Sequence, residues 1–385
     1  MRIVILTHTF FPVVGGAEVG IHEIATRLAV THDVVVLTPI GEDHSDSYSA
    51  EASRSSDYTI VRYSNPLLTG RFGRLGRLLA QIPLRELREL RRLKREERAD
   101  VVNLHFIHPF GLLTILSRYL LGLPVVLSLV GRTDVLAEHR GLRKVMSRLS
   151  IRGAAETTEI SSYCSRGSWA EGRLELLYYG ADLDTYSPDA DCGVMRRRFG
   201  ISTDSPVLLA VQRLQSVKRV DMVIAAFDEV AREDDDIHLV VVGRGEEEAR
   251  LRALALSSQP TRIHFAGYVA EDDLPSYYAE SDLFVSHSEN ETFGVMFAQA
   301  MASGLPIVAA RTSCIPDIVL DGVNGALVTP GNPQEFGTAI EALTGDLGRR
   351  KSISRENVAR ARELFNWDKT ARTLETYVQR VRSRT

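Results

Sequence analysis

The chain has 385 residues, enough for two core-forming domains at roughly 150 residues each and too many for a single small module. Hydrophobic residues make up 44% and charged residues 25%, the balance of a folded globular protein and not of a disordered one. Forty-six basic against fifty acidic residues give a formal net charge of -4, which excludes a general nucleic-acid-binding surface as the main business of the chain. The cysteines Cys164, Cys192 and Cys314 are far apart and form no C-x-x-C pair, so neither a disulfide framework nor a zinc cluster is encoded. The apolar run Ile3 to Leu6 is too short for a signal-peptide core, and no segment approaches the ~18 apolar residues of a membrane span. A reducing, cytoplasmic setting is the expectation.

Runs of Val, Ile and Leu recur along the chain at Ile3 to Leu6, Val34 to Leu37, Val101 to Leu104 and Val125 to Leu127. They recur again at Val207 to Val211, Leu239 to Val242, Leu283 to Val285 and Ile307 to Ala309. Such runs predict strands buried on both faces. Between them Ala17 to Val30 carries Ile21, Ile24 and Leu28 on one stripe, and Val217 to Arg232 carries Val220, Val223, Ile224 and Phe227, both at helical spacing. Strand-helix alternation predicts an α/β protein with parallel sheets. Pro188, Asp189, Asp191, Gly200, Asp204 and Pro206 interrupt the series and place a linker at 187–205. That leaves domains at 1–186 and 206–364, with a final segment 365–385. Ligands of such sheets bind at the carboxyl ends of the strands, so a cleft between two of them is the expected site.

The first strand runs through Thr7-His8 to Gly15-Gly16 at a helix start. These glycines either let backbone amides approach a phosphate or merely make the turn. After the strand at 207–211, Arg213 and Lys218 stand five residues apart before a helix, positioned to grip a diphosphate or to lie solvated. The strand at 283–285 leads into Ser286-His287-Ser288-Glu289-Asn290-Glu291-Thr292-Phe293-Gly294 and a helix from about Val295 containing Gln299. Glu291 can reach a ligand at the strand end, and Gln299 can bond farther along it; a plain helix-start carboxylate is the simpler reading of Glu291. His105 and His108 are expected to be satisfied or solvated. From Arg71 to Arg98 a basic amphipathic stretch with Leu75, Leu78, Leu79, Ile82, Leu84, Leu87, Leu90 and Leu93 suits either an anionic membrane surface or a domain helix packing its leucines inward.

Taken in order, these segments resemble retaining glycosyltransferases of family 4. The resemblance also rests on Tyr179-Gly180-Ala181-Asp182, Val242-Gly243-Arg244-Gly245, Phe265-Ala266-Gly267-Tyr268, Asp321 to Gly325 and Phe365-Asn366-Trp367-Asp368. It implies the GT-B fold: two Rossmann-like doubly wound domains facing a cleft, with an acceptor-binding N-terminal domain, a nucleotide-sugar-binding C-terminal domain and a final helix returning to the first. It further implies that Arg213 and Lys218 neutralise the diphosphate without a metal or other cofactor, and that Glu291 contacts the donor sugar. Gly15, Gly16, Gly243, Thr292, Phe293, Gly294 and Val295 would stand beside the donor.

The sequence departs from the family pattern at two places. The second Glu of the Glu-x7-Glu motif, which holds ribose hydroxyls, is Gln299. The histidine of a His-Gly-x-Asp-like segment is missing from Leu129-Val130-Gly131-Arg132-Thr133-Asp134, leaving Asp134, with His8 as a histidine facing the same acceptor side. Asp182-Leu183-Asp184 looks like the Asp-x-Asp metal motif of other glycosyltransferases but belongs to the Tyr-Gly-x-Asp segment. The resemblance implies transfer of a hexosyl unit from a UDP- or GDP-sugar to a sugar, lipid-linked or small-molecule hydroxyl in envelope, polysaccharide or glycoconjugate biosynthesis, at the inner membrane face if the 71–98 stretch docks there. A non-catalytic nucleotide-sugar-binding subunit and a GT-B epimerase or phosphorylase are the alternatives.

Overall fold

In the computed structural model, the structure describes residues 1–11, 15–40, 57–64, 83–108, 110, 112–190 and 193–384. The chain divides into two compact units, Met1–Tyr178 with Trp367–Thr385, and Tyr179–Asn366.

The first unit is built on β1 (Arg2–Leu6), β2 (Asp33–Pro39), β3 (Thr59–Tyr63), β4 (Val101–His105), β5 (Val125–Leu129), β6 (Glu156–Glu159) and β7 (Glu175–Leu176). They form one seven-stranded parallel sheet in the order β3-β2-β1-β4-β5-β6-β7. The second unit contains β8 (Val207–Val211), β9 (His238–Val242), β10 (Ile263–Gly267), β11 (Leu283–Ser286), β12 (Ile307–Ala310) and β13 (Gly325–Val328). Its six-stranded parallel sheet has the order β10-β9-β8-β11-β12-β13. Both orders are doubly wound, with a topological switch point where the winding reverses, between β1 and β4 in one sheet and between β8 and β11 in the other.

All eight hydrophobic runs become strands, because helices on both faces of a parallel sheet leave no polar side to alternate with. The helix Gly16–Ala29 buries Ile21, Ile24 and Leu28, and Val220–Glu233 buries Val220, Val223, Ile224 and Phe227, the stripes that periodicity requires. The strands β3, β6, β7, β10 and β13 lie outside those runs. Thr-Ile-Val-Arg-Tyr and Glu-Thr-Thr-Glu are mixed or polar, and their strand character comes from pairing with a neighbour.

The segment 187–205 is not a free linker. Its helix Val194–Phe199 is fastened within the second unit by the buried carboxylate of Glu280, which accepts from the backbone N–H of Gly193 (2.8 Å), Met195 (3.1 Å) and Arg196 (2.7 Å). The division falls at Tyr178/Tyr179, earlier than 186, because the backbone N–H of Ala181 donates to Phe365 O (3.0 Å) inside the second unit. The final helix, Trp367–Ser383, belongs to the first unit. It buries Leu374, Val378 and Val381, Asp368 accepts from Arg27 at 2.6 Å, and the Thr370 hydroxyl donates to Tyr178 O at 2.7 Å.

Of the basic stretch, residues 71–82 lie outside the described residues. The rest forms the helix Leu84–Glu97, in which Leu90 and Leu93 are fully buried while Arg88, Arg91, Arg95 and Arg98 are exposed at or just past the helix. Leu90 and Leu93 serve the core, whereas Leu84 is 65% exposed at the helix start. Among the described residues no helix is long and apolar enough to cross a membrane.

Candidate functional site

The second unit gathers its charged groups at its switch point. Beyond β8 the chain makes a single turn of 3-10 helix, Ser216–Lys218, closed by Lys218 N–H donating to Gln215 O (2.9 Å). Beyond β11 the loop is tied to that turn by the backbone N–H of Glu289 donating to Val217 O (2.9 Å) and by an ion pair between Arg219 and Glu289 (2.5 Å). Between these ties the Lys218 ammonium meets the Glu291 carboxylate at 2.5 Å, with side chains only 12% and 9% exposed. The Glu291 backbone N–H donates to the Ser313 hydroxyl (2.9 Å), which fixes the loop from the β12 side. Two opposite charges 73 residues apart in sequence thus close the switch point.

Arg213 lies five residues before Lys218 in the same β8 loop, exposed and with no side-chain partner among the described residues. Its loop is held by two glycines. Gly243 adopts φ +131°, and a Cβ there would fall 1.9 Å from Gln212 O; a Cβ at Gly245 would fall 2.2 Å from Leu214 O. Bare backbone at these two positions lets the β8 and β9 loops zip together through Gln212 N–H to Val242 O (3.0 Å) and Leu214 N–H to Arg244 O (2.9 Å). Gly243 is therefore a packing residue whatever else it touches.

Glu291 is followed by Thr292, which is partly exposed, and by Phe293, whose buried ring packs edge-on against Tyr179 and Phe365 at centroid distances of 6.2 and 5.6 Å. Only the backbone of Phe293 is left for a ligand. Gly294, at φ +78°, opens the helix Val295–Ala302, and Val295 is partly exposed at its start. One turn along, Gln299 is bracketed by two phenols: its Oε1 accepts from Tyr278 (3.0 Å) and its Nε2 donates to Tyr186 (3.0 Å). Tyr278 is fully buried, and burial pushes its hydroxyl well above the ordinary phenol range, so it stays a proton donor. Asp182 spends its carboxylate on its own turn, accepting from Asp184 N–H (3.1 Å) and the Thr185 hydroxyl (2.9 Å).

In the first unit His8 follows β1 and packs edge-on against Phe106, which follows β4, at 4.3 Å between centroids across that sheet's switch point. Phe106 holds φ +72°, a conformation a bulky residue rarely adopts. A Cβ on Gly131 would lie 2.4 Å from the Phe106 ring, so the glycine makes room for it. Burial lowers the His8 imidazole to about 4, and its Nδ1 has no hydrogen-bond partner among the described residues. Asp134 is fully buried and accepts from the backbone N–H of Ile107 (2.9 Å), Val130 (3.1 Å) and Gly131 (3.2 Å). Desolvation raises it to about 6 against the pull of those three donors. It pins the loops beyond β4 and β5 together.

Gly15 caps the helix Gly16–Ala29, and the largely buried Glu18 carboxylate folds over that helix start; a Cβ on Gly15 would lie 2.7 Å from its Oε2. His105 is fully buried and bonded through Nε2 to Asn103 (2.7 Å); among the described residues its Nδ1 and the Nε2 of His108 have no partner. Sequence reasoning missed Tyr186, Tyr278 and Phe106, which no local pattern marks.

Two family models match the chain: "Glycosyltransferase Family 4" over residues 14–160 and "Glycosyl transferases group 1" over residues 194–360. The chain belongs to the family 4 glycosyltransferases. Its two doubly wound units are the Rossmann-like pair of the GT-B class. Among its family relatives, a D-inositol 3-phosphate glycosyltransferase of Xylanimonas cellulosilytica is 33% identical over 55% of this chain and 52% of its own. The chain thus spans about half the length of that relative. A GDP-mannose-dependent alpha-(1-6)-phosphatidylinositol monomannoside mannosyltransferase of Mycolicibacterium smegmatis is 27% identical over 94% of both chains. The fold of sucrose-phosphate synthase from Thermosynechococcus elongatus matches with a TM-score of 0.81 at 19% identity, over 100% of both chains.

Proposed function

We propose that this chain is a retaining glycosyltransferase that moves a hexosyl unit from a nucleoside-diphosphate sugar to an acceptor hydroxyl. The observation that carries the reading is the β8–β11 switch point, where the Lys218–Glu291 pair closes the loop that also carries the exposed Arg213, without a side-chain partner among the described residues. A departing diphosphate gains negative charge as the glycosidic bond breaks, and preplaced cations stabilise that charge without reorganising. Arg213 takes one face of the diphosphate, and Lys218 supplies the second cation once the donor competes with Glu291 for it. Glu291 then orients the sugar. The anomeric carbon–oxygen bond breaks with its electron pair going to the phosphate oxygen, the acceptor oxygen bonds on the same face, and the acceptor proton passes to the departing phosphate. No metal is needed for this charge balance.

Gln299, Thr292 and the backbone of Phe293 to Val295 line the donor, with Gly243 shaping the loop. His8 faces the acceptor, and Asp134 positions the loops around it. The acceptor is a sugar, a lipid-linked or a small-molecule hydroxyl of envelope, polysaccharide or glycoconjugate synthesis, with the enzyme working in the cytoplasm. Contact with anionic membrane is electrostatic, through the exposed Arg88, Arg91, Arg95 and Arg98. Binding to anionic vesicles that disappears with added salt tests it, and no binding at low salt refutes it.

The central experiment incubates the protein in EDTA with UDP-, GDP- and ADP-sugars and measures thermal stabilisation and nucleoside diphosphate release. Stabilisation with slow release, accelerated by an acceptor, is the expected result. Donor bound but returned unchanged with every acceptor indicates a binding subunit, and donor converted to another sugar nucleotide indicates an epimerase.

A further inference from the structure

We propose that the carboxyl ends of β9 and β10 read the donor's nucleobase, and that the base is guanine; this rests on the nucleotide-sugar reading of the same site. The strands β8, β9 and β10 are neighbours, and their loops are laced by Leu214 N–H to Arg244 O (2.9 Å) and Gly243 N–H to Gly267 O (2.8 Å). At about 4.8 Å between strands, the β10 end lies roughly 10 Å from the β8 end that carries Arg213. That is the reach of a nucleoside from its phosphates to its base.

Two side chains at this distance are left over by the fold. Tyr268, the first residue past β10, is 60% exposed and makes no ring contact among the described residues. It offers a face on which a base stacks. Arg244, just past β9, is exposed, and its guanidinium has no hydrogen-bond or ion-pair partner among the described residues. Its guanidinium lies beside Gly267, where a Cβ would be 3.6 Å from Nε and 3.9 Å from Nη2. Gly267 holds φ +69° and presents bare backbone, so no side chain at that position stands over the guanidinium, and Tyr268 is the next residue along the chain.

The chemistry of the three common bases separates them here. A guanidinium offers parallel N–H donors, which match two acceptors side by side on one edge. Guanine has that pair in O6 and N7. Adenine pairs N7 with an amino donor, and uracil's carbonyls flank an N–H, so neither accepts both bonds. A purine also covers more of the Tyr268 ring than a pyrimidine.

Calorimetric titration of the full chain with GDP, UDP and ADP tests the assignment, using Arg244→Met, Tyr268→Ala and Tyr268→Phe, all surface changes whose melting temperatures should match the parent. GDP should bind about tenfold or more tighter than UDP or ADP. Arg244→Met should bring GDP to the level of UDP while leaving UDP within about twofold. Tyr268→Ala should weaken GDP by about tenfold, and Tyr268→Phe should restore it. UDP or ADP binding as tightly as GDP, or equal losses for GDP and UDP in Arg244→Met, overturns the base assignment and leaves the donor reading intact. A parent chain that binds no nucleoside diphosphate or nucleotide sugar at all refutes the donor reading, and this one with it.

Discussion

Acidification from pH 7 to pH 5 should destabilise the first unit well before ordinary carboxylate titration. His8 is held at about 4 and His105 at about 3 by burial, against 6.5 in an open chain. A base with a depressed folded pKa leaves stability untouched above the unfolded value, and stability is lost as pH falls from there toward the folded one. For each histidine the loss between pH 7 and pH 5 is about 2 kcal/mol, so about 4 kcal/mol together. Asp134 works in the other direction. Its folded pKa, about 6, is raised above the ordinary 3.8, so its burial penalty is relieved as it protonates, returning about 1 kcal/mol over the same interval. The histidines win, with a net loss of about 3 kcal/mol. Both tryptophans, Trp169 and Trp367, belong to the first unit, so their fluorescence reports its unfolding selectively. With a urea dependence of about 2 kcal/mol per molar, the midpoint should fall by about 1.5 M. His105→Asn should remove about half of the contribution of His8 and His105, leaving in addition the smaller, solvent-screened share of the less buried His108, which burial also lowers to about 4. A midpoint that stays constant between pH 7 and pH 5, or imidazole resonances of His8 and His105 that titrate near 6.5, would refute the reasoning.

Arg213→Ala should leave the melting temperature unchanged, since the side chain is exposed and unpartnered, while kcat and kcat/KM fall together by about 100-fold; full turnover at saturating donor would sink the leaving-group role. Glu291→Gln leaves Lys218 largely buried without its counter-ion, and chemical denaturation should show a loss of about 3 kcal/mol in the second unit, recovered in part by adding Lys218→Met. Gln299→Ala strands the buried Tyr278 hydroxyl and should cost about 1–3 kcal/mol, whereas Gln299→Glu, which can accept from both phenols, should be nearly neutral in stability. Gly243→Ala must displace the Gln212 carbonyl, so the variant should lose donor binding along with stability; an unperturbed protein in a thermal scan would contradict the close approach.

The parallel sheets were legible because burial on both faces writes continuous Val, Ile and Leu runs, as in Ile3 to Leu6 and Val207 to Val211. The helix stripes of 16–29 and 220–233 were legible for the same reason, since a period of 3.6 is a local property. Strands such as Glu156–Glu159 were not. Thr158 bonds Ser128 across the sheet (3.2 Å), and a polar strand of that kind is recognisable only from the neighbour that satisfies it. Motif order pointed to Arg213, Lys218 and Glu291 as a set, but a set of types and spacings carries no distances. The 2.5 Å contact between Lys218 and Glu291 exists because β8 and β11 are made adjacent by the crossover that carries β9 and β10 to the far side. The same holds for Gln299, whose amide is claimed by phenols 21 and 113 residues away, and for Asp134, whose carboxylate serves Ile107. Local sequence determines which segments are buried and at what period; which polar groups then meet is decided by the winding of the sheet, because a hydrogen bond or ion pair depends on position in space and not on distance along the chain.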